Sequence, residues 1–240
     1  MQTSVLVAGG TGGCGRLVVQ RLLDQGKRVR VLTRSPQRAA QLGSVEVCQG
    51  TALYPEDCRR AVESCQAVVC TLGATVEDVG SPLVDGDGVI NLAQCAIDAE
   101  VERFILVSSL GVGDSWHWMP YPVRWFFKLH GEVPILNEKA RSEAYVRSSR
   151  ITWSILRPGF LTNASMQMEP LLLSPAGRVL GVTSRQAVAD VAVRCLDADR
   201  AIAQTFTVVD GWLRNAVWRG EPMRLDVPWQ VWETAQSSES

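Results

Sequence analysis

A glycine cluster between two apolar segments constrains the fold of this 240-residue chain more than any other feature. Val5, Leu6 and Val7 form a short apolar run that ends at the glycines. Residues 13–25, with apolar positions at helical spacing, follow the cluster, and a second apolar run, residues 29–33, comes next. A strand, a glycine turn, a helix and a second strand within about 30 residues predict a parallel βαβ unit.

The glycines have the spacing of a phosphate-binding turn. Gly9, Gly12 and Gly15 lie three residues apart, and Gly10 with the last two satisfies G-x-G-x-x-G. Glycine adopts positive φ and lets a phosphate approach the backbone, while the N-terminus of the following helix attracts negative charge. A dinucleotide is therefore the expected ligand. The alternative, a glycine-rich turn without a ligand, is disfavoured by the ordered strands and helix around it.

The residues after the second strand indicate which dinucleotide binds. NAD sites place an acidic residue here to accept a hydrogen bond from the ribose 2′-hydroxyl. This chain has Arg34, Ser35 and Arg38, and a guanidinium matches a phosphate in charge and shape. NADP(H) is therefore expected, unless both arginines are ordinary surface residues. Gly50 and Thr51 follow the third strand, so a contact with the adenine would use a hydroxyl or the backbone.

Composition excludes several classes of protein. A net charge of −1, without long runs of one sign, argues against nucleic acid as a partner. Neither a signal peptide nor an apolar stretch long enough to span a membrane is evident. The seven cysteines form no metal pattern and predict reduced thiols, in a cytoplasmic setting or the plastid stroma of a photosynthetic eukaryote. Cys14 lies in the glycine turn, where a helix N-terminus lowers a thiol pKa, although a packing role is favoured.

Strands and helices alternate along the chain. This predicts an α/β fold, a Rossmann-type doubly wound parallel sheet. We expect one NAD(P)-binding domain over residues 1–240, with a cofactor-binding core at 1–160 and a C-terminal substrate-side portion and tail at 161–240. The expected strands are 5–7, 29–33, 45–48, 67–72, 103–107, 152–156 and 205–209. The expected helices are 13–25, 37–42, 56–64, 87–100, 135–147 and one capped by Ser184 that ends at 196. The tail, with Trp212, Trp218, Trp229 and Trp232, is expected to pack over the core.

Ligands of such sheets collect at the carboxyl ends of the strands. Cofactor contacts are therefore expected from the glycine turn, the strand exits and the helix of Lys139. The expected residues are Gly9, Thr11, Gly12, Gly13, Cys14, Gly15, Arg34, Ser35, Arg38, Thr51, Ala52, Leu72, Gly73, Ala74, Ser108, Lys139, Pro158, Gly159 and Phe160.

Five segments carry a family resemblance: GGTGGCGR, LTRS, RFILVSS, EKARSE and LRPG. Over residues 3–210 the chain resembles the atypical short-chain dehydrogenase/reductase superfamily. It is most similar to the NmrA-like, NAD(P)H-binding group that includes the flavin reductase/biliverdin-IXβ reductase type. The resemblance implies a Rossmann fold, NADP(H) binding and NADPH-dependent reduction. It also implies that Ser109 is the active-site serine, that Lys139 contacts the nicotinamide ribose and that residues 158–160 flank the nicotinamide.

The Tyr-x-x-x-Lys motif of the wider superfamily is absent, because Ile135 stands four residues before Lys139. Tyr145 would lie on the same helix but about 120° away from the face of Lys139. An acceptor that needs no strong enzymic acid is therefore expected, such as a flavin or a linear tetrapyrrole, for which water supplies the proton. The plainer alternatives are a strand-end hydrogen bond for Ser109 and a solvated helix position for Lys139.

Residues 115–130 are rich in aromatic side chains. Trp116, Trp118 and Trp125 are the substrate candidates, because aromatic rings stack on flat conjugated ligands. A packed lid, a protein-partner patch and a membrane-surface contact are the alternatives. His117 and His130 are candidate proton donors, but lone histidines are more often packing or surface residues.

Two functions remain open from the sequence. One is an NADPH-dependent reductase of a planar conjugated acceptor, with Ser109 and Lys139 as the catalytic residues and no metal. The other is a non-catalytic NADP(H)-binding redox sensor or assembly factor, which docks a protein partner through residues 115–130. A nucleotide-sugar epimerase is disfavoured by the chain length and the absent motif.

Overall fold

The computed structural model describes residues 4–166, 168–173, 181–210 and 223–227. Its strands are β1 Ser4–Ala8, β2 Arg28–Thr33, β3 Glu46–Gln49, β4 Cys65–Cys70, β5 Arg103–Val107, β6 Trp153–Pro158, β7 Phe160–Thr162, β8 Leu171–Leu173, β9 Val182–Ser184 and β10 Gln204–Val209. Within this part of the chain, an eight-stranded sheet has the order β3-β2-β1-β4-β5-β6-β10-β8. β7 and β9 form a separate parallel pair.

Helices cover both faces of the large sheet. They are α1 Gly13–Asp24, α2 Pro36–Ala40, α3 Pro55–Val62, α4 Val89–Asp98, α5 Tyr121–Leu129, α6 Val133–Ser148 and α7 Arg185–Asp197. The predicted Rossmann-type, doubly wound, single-domain fold is confirmed. The antiparallel edge strand β8 was not predicted, because an isolated three-residue apolar run has no periodicity. The division of the domain at residue 160 stays a prediction.

The alternation of side chains along β1 produces the two halves of the core. Val5 and Val7 pack in a cluster with α1 and α7, whereas Leu6 and Ala8 pack in a second cluster with α3, α4 and α6. Successive side chains of a strand point to opposite faces, and both faces of a parallel sheet are buried. The continuous apolar runs of the sequence therefore mark strands that are covered on both sides.

Two helical regions differ from their predicted form. Residues 115–130 were expected as an aromatic segment without assigned structure, but they fold into a 3₁₀ segment, Gly113–Trp118, and the helix α5. The helix expected at 87–100 begins earlier, with the π-helical turn Val84–Gly88. Gly86 permits this turn, because a Cβ there would lie 1.8 Å from Oε2 of Glu138 on α6. The predicted N-cap is confirmed, since the Ser184 hydroxyl accepts a hydrogen bond from the Ala187 N–H.

A buried ion pair joins β6 to α6. Nη2 of Arg157 lies 2.7 Å from Oε2 of Glu143, and both side chains are almost fully buried. Arg157 also pairs with Asp114 of the 3₁₀ segment, and Arg147 pairs with Glu143 from the surface. The arginine therefore fixes three elements behind the exits of β5 and β6.

Only part of the C-terminal tail is described. The Met223 N–H donates to the Leu172 carbonyl at 2.9 Å, and Leu225 is buried in the core cluster of α1 and α7. This agrees with a tail that packs against the domain. Trp212, Trp218, Trp229 and Trp232 lie outside the described residues.

Candidate functional site

An open groove of about 380 Å³ lies at the carboxyl ends of β1, β2, β3 and β4. Many of the residues expected to contact a cofactor line it together. They are Gly9, Thr11, Gly12, Arg34, Ser35, Arg38, Thr51, Ala52, Leu72 and Gly73. The βαβ pattern and the strand exits therefore located one continuous surface.

Gly50, which was considered with Thr51, also lines the groove, as do residues that were not predicted, namely Leu32, Thr33, Thr71, Thr75 and Val84. Thr71 stands out because its hydroxyl donates to the Ala8 carbonyl at 2.9 Å and so joins the exits of β1 and β4. Its position directly after a buried strand is the signal that would have identified it.

The glycine turn brings the backbone close to the groove. Gly9 has a φ of +81°, and the Gly12 N–H donates to the Gly9 carbonyl at 2.9 Å. A Cβ on Gly15 would lie 2.2 Å from that same carbonyl oxygen. The N-cap of α1 is Gly12, which offers no side-chain acceptor, and the first turn contains no acidic residue. The first N–H groups of α1 are thus left for an anion, as a dinucleotide pyrophosphate requires.

Positive charge borders the groove at the end of β2. Arg34 and Arg38 are exposed, and among the described residues neither has a carboxylate within ion-pair distance. Nη2 of Arg38 donates to the Thr11 carbonyl at 3.0 Å, so its guanidinium reaches across to the glycine turn. These residues fit the extra phosphate of NADP.

A carboxylate from α3 hydrogen-bonds to the backbone of the groove at the exit of β3. Oδ2 of Asp57, on α3, accepts a hydrogen bond from the Thr51 N–H at 2.9 Å. A Cβ on Gly50 would lie 2.6 Å from the Asp57 carboxyl carbon, so the glycine makes room for the acid. Asp57 was not among the predicted residues, because it lies on α3 and not at the end of a strand.

Lys139 lies behind the exit of β4 and is not among the residues that line the groove. Its ammonium forms an ion pair with Oδ1 of Asp85, whose side chain is fully buried in the π-helical turn. Oδ2 of Asp85 accepts from the Ala74 N–H at 2.6 Å. Asp85 thus joins the lysine to the predicted Leu72–Ala74 segment. Sequence reasoning missed it because only the π-helical turn directs it inward.

A second, much smaller cavity of about 30 Å³ lies at the exits of β5 and β6. The predicted residues Ser109, Gly159 and Phe160 line it, together with Leu110, Met119 and Phe127. None of the three candidate tryptophans is a lining residue: Trp116 packs edge-on against Phe127, Trp118 is half-buried and Trp125 is exposed. Aromatic character alone does not show which residues of a segment point inward.

The rings of Phe127 and Phe160 stack at 5.9 Å, with 20° between their planes, and fill most of the space beside Ser109. The Ser109 hydroxyl donates to the Leu110 carbonyl at 3.0 Å. The hydroxyl of Ser108 is buried and has no hydrogen-bond partner among the described residues. A volume near that of one water molecule cannot enclose a planar acceptor in this conformation.

Several predicted residues lie next to the groove or the small cavity without lining either one. Gly13, Cys14 and Gly15 lie in the first turn of α1, and Pro158 is buried on β6. Burial raises the pKa of the Cys14 thiol to about 11, and the nearby Arg185 guanidinium opposes this shift only in part. Desolvation of the thiolate therefore outweighs the effect of the helix N-terminus, in agreement with the favoured packing role of Cys14.

The candidate proton donors lie elsewhere. His117 and His130 are exposed, and Nδ1 of His130 lies 2.9 Å from the Phe126 carbonyl oxygen. The Tyr145 hydroxyl donates to Gln94 of α4, away from Lys139, as the helical spacing predicted. The described residues contain no cluster of side chains suited to a metal ion. None of their helices is both long and apolar enough to pass through a bilayer.

Comparison with known proteins agrees with this geometry. A family model described as NAD(P)H-binding matches residues 9–199. An uncharacterised chloroplastic protein of Arabidopsis thaliana is 32% identical over 223 residues, which cover 86% of this chain and 75% of that protein. The photosystem II assembly factor Ycf39 of Synechocystis is 28% identical over 216 residues, which cover 85% of this chain but only 62% of Ycf39.

The fold also recurs among solved structures. ChuY, described as an anaerobilin reductase from Escherichia coli O157:H7, superposes with a TM-score of 0.73 at 24% identity. The match covers 87% of this chain and 98% of ChuY. At this level of identity, the likeness establishes the shared fold.

Proposed function

We propose a function from one premise: the chain belongs to the NAD(P)H-binding family. The protein is an NADPH-dependent reductase of a planar conjugated acceptor, such as a flavin or a linear tetrapyrrole. The observation that carries this proposal is the position of the groove, which joins a glycine turn to two unneutralised arginines at the end of β2. The reductase activity described for ChuY, on the same fold, supports this class of acceptor.

The cofactor preference rests on Arg34 and Arg38. Their guanidinium groups hold the 2′-phosphate, while the N–H groups at the start of α1 hold the pyrophosphate. Lys139 donates a hydrogen bond to the nicotinamide ribose, and its ion pair with Asp85 orients the ammonium group for this contact. Lys139 acts at the exit of β4, where Ala74 also hydrogen-bonds to Asp85.

The acceptor lies on the outer face of Phe160, which is 40% exposed and is backed by the stacked ring of Phe127. NADPH supplies a hydride to the acceptor. The Ser109 hydroxyl turns from the Leu110 carbonyl to a polar atom of the acceptor and orients it. Solvent supplies the proton, so the acceptor gains two electrons and is released in its hydrogenated form. No enzymic tyrosine is needed, because the conjugated system delocalises the developing charge.

NADPH oxidation with FMN or biliverdin tests the activity. We expect turnover by the wild type and at least a ten-fold slower rate for Ser109→Ala, because the acceptor loses its orienting hydrogen bond. Ser148→Ala, an exposed serine at the end of α6, is the matched control and should be unaffected. Absence of turnover across a broad panel of planar acceptors would contradict the reductase proposal.

Binding of NADPH and NADH tests the cofactor preference separately. Arg34→Gln should weaken NADPH binding about ten-fold and leave NADH unchanged, because one charge-assisted contact to the 2′-phosphate is lost. Calorimetry with both nucleotides measures this. Equal losses for NADH and NADPH would show that Arg34 serves the fold rather than the phosphate.

The second candidate is a non-catalytic NADP(H)-binding sensor or assembly factor. Tyr121, Trp125 and Leu129 form an exposed apolar stripe at i, i+4 and i+8 on α5, and each is at least 55% exposed. Such a stripe suits a protein partner, and one relative is named a photosystem II assembly factor. Loss of partner capture by Trp125→Ala, with NADPH affinity unchanged, would favour this candidate. Retained capture would count against it.

A further inference from the structure

Arg185 lies against the start of α1, although it is the first residue of α7. A Cβ on Gly13 would be 2.7 Å from Nε and 3.0 Å from Cδ of this arginine. A side chain at residue 13 would therefore displace the arginine side chain from this position. The side chain of Arg185 therefore lies beside Gly12, which is the N-cap of α1 and lines the groove.

The charge of Arg185 is not neutralised by a carboxylate in the described part of the chain. Its Nη1 donates to Oδ1 of Asn163 at 2.8 Å, which is a contact to a neutral amide. Two other arginines at the packed face of α1 and α7 differ in this respect. Arg21 lies 2.8 Å and Arg194 3.5 Å from the Asp190 carboxylate. Of these three arginines, Arg185 is the one without a carboxylate partner among the described residues.

Helix electrostatics makes this position unfavourable for a cation. The N-terminus of α1 carries partial positive charge, with no side-chain cap and no acidic residue in its first turn. The N-terminus of α7 is already satisfied, because the Ser184 hydroxyl caps it and the Asp210 carboxylate accepts from the Ser184 N–H at 2.9 Å. Arg185 thus adds a full positive charge to the uncapped end of α1. An anion held between the two removes the repulsion.

We propose that Arg185 binds the pyrophosphate of the dinucleotide, on the opposite side from the N–H groups of α1. Gly13 leaves the space that the side chain of this arginine occupies. The inference rests on the proposed function, and it assigns a cofactor contact to a residue far from the glycine turn in sequence. It also changes the role of Gly13, which the sequence analysis treated as a direct cofactor contact. Asn163 orients the guanidinium through the N–H that does not face the phosphate.

Calorimetry with NADP⁺ and 2′-AMP tests the inference, because 2′-AMP has the ribose phosphate but no pyrophosphate. Arg185→Gln should weaken NADP⁺ binding about ten- to hundred-fold, as expected for a lost charge-assisted hydrogen bond, and leave 2′-AMP within two-fold of wild type. Arg185→Lys keeps the charge and should lose less. Arg150→Gln, an exposed arginine between α6 and β6 at the opposite edge of the sheet, is the matched control and should bind both nucleotides as wild type does.

The Gly13→Ala variant tests the same loss of NADP⁺ affinity without changing Arg185 itself. A methyl group there displaces the guanidinium, so the variant should resemble Arg185→Gln. The double variant should bind NADP⁺ no more weakly than the worse single variant, because both changes remove one contact. Thermal unfolding checks that each variant is folded. Should Arg185→Gln fail to fold, Gly13→Ala and Arg185→Lys carry the same comparison.

The outcomes separate this inference from the proposed function. If the wild type binds neither NADP⁺ nor 2′-AMP, the proposed function fails. If the wild type binds both and Arg185→Gln binds NADP⁺ equally well, only the role of Arg185 is overturned. An equal loss for both nucleotides also overturns it, because Arg185 would then support the whole groove rather than the pyrophosphate.

Discussion

The two spaces at the carboxyl edge of the sheet differ in almost every physical property. The groove at the exits of β1 to β4 has about 380 Å³ and is bordered by unneutralised arginines. The cavity at the exits of β5 and β6 has about 30 Å³ and is lined by the stacked rings of Phe127 and Phe160. The first is preformed for a charged ligand of fixed shape. The second has to open, or offer only its outer face, before an acceptor binds.

The arginines near the two spaces also differ in whether they have carboxylate partners. In the groove, Arg34 and Arg38 have no carboxylate partner among the described residues, and the glycine turn is closely packed around the Gly9 carbonyl. Behind the cavity, the buried Arg157 pairs with the buried Glu143 and with Asp114, whose side chain is 62% exposed. Mutations in the groove should change ligand affinity, whereas mutations in the buried network should change the free energy of unfolding. Four predictions use that contrast.

Gly15→Ala should have the largest effect. A Cβ at this position would lie 2.2 Å from the Gly9 carbonyl oxygen, so the glycine turn has to move. We expect NADPH affinity to fall at least a hundred-fold, measured by calorimetry. Gly26→Ala, at the other end of α1, is the control: it strains a backbone with a φ of +70° away from the groove, so it should lower stability and keep its affinity. Full binding by the first variant would show that the turn is not rigid.

Arg157→Met should lower the free energy of unfolding by about 3 kcal/mol, because Glu143 loses its buried partner. Chemical denaturation measures this. Arg147→Met is the matched control, since Arg147 pairs with the same carboxylate from the surface, and it should cost less than about 1 kcal/mol. Similar losses for both variants would contradict the view that the network behind the cavity is buried.

The Cys14 thiol predicts a dependence of stability on pH. Burial raises its pKa from 9.0 to about 11 in the folded protein, so its contribution is complete below pH 9 and is lost as the pH rises to 11. Two pKa units correspond to about 2–3 kcal/mol. The unfolding free energy of the wild type should therefore fall more steeply than that of Cys14→Ala over this range. If the unfolding free energies of the two proteins changed in parallel with pH, the Cys14 thiol would be accessible to solvent in the folded protein.

Trp125→Ala should have the smallest effect, below about 0.5 kcal/mol in unfolding free energy, because this side chain is 55% exposed. Phe127→Ala, two residues along the same helix, should cost about 3 kcal/mol, because its ring is buried beside the cavity. Thermal or chemical unfolding compares the two. A large loss for Trp125→Ala would contradict an exposed stripe and argue for a packed lid.

Much of the cofactor side was predictable, because local patterns encode it. Strand, turn and helix follow one another around Gly9, Gly12 and Gly15, and their spacing sets the geometry within one βαβ unit. Arg34 was found in the same way, from its place at a strand end. Asp57 was missed because it lies on α3 and not at the end of a strand.

The substrate side was less predictable, because packing decides it. The sequence shows that residues 115–130 are aromatic, yet it does not show that Phe127 points inward while Trp125 points to solvent. Asp85 escaped notice because a π-helical turn, permitted by Gly86, directs it towards Lys139. These choices depend on contacts with distant elements.

The sequence by itself determined the α/β fold, the βαβ unit and the line of glycines and arginines that suits a dinucleotide. Those features follow from side-chain periodicity and backbone freedom, which act over a few residues. Only the tertiary structure decided that Arg185 lies over Gly13, that Asp85 pairs with Lys139 and that the cavity beside Ser109 is small. Each of these results from side chains that meet across the sheet edge, where the packing of whole helices sets the distances.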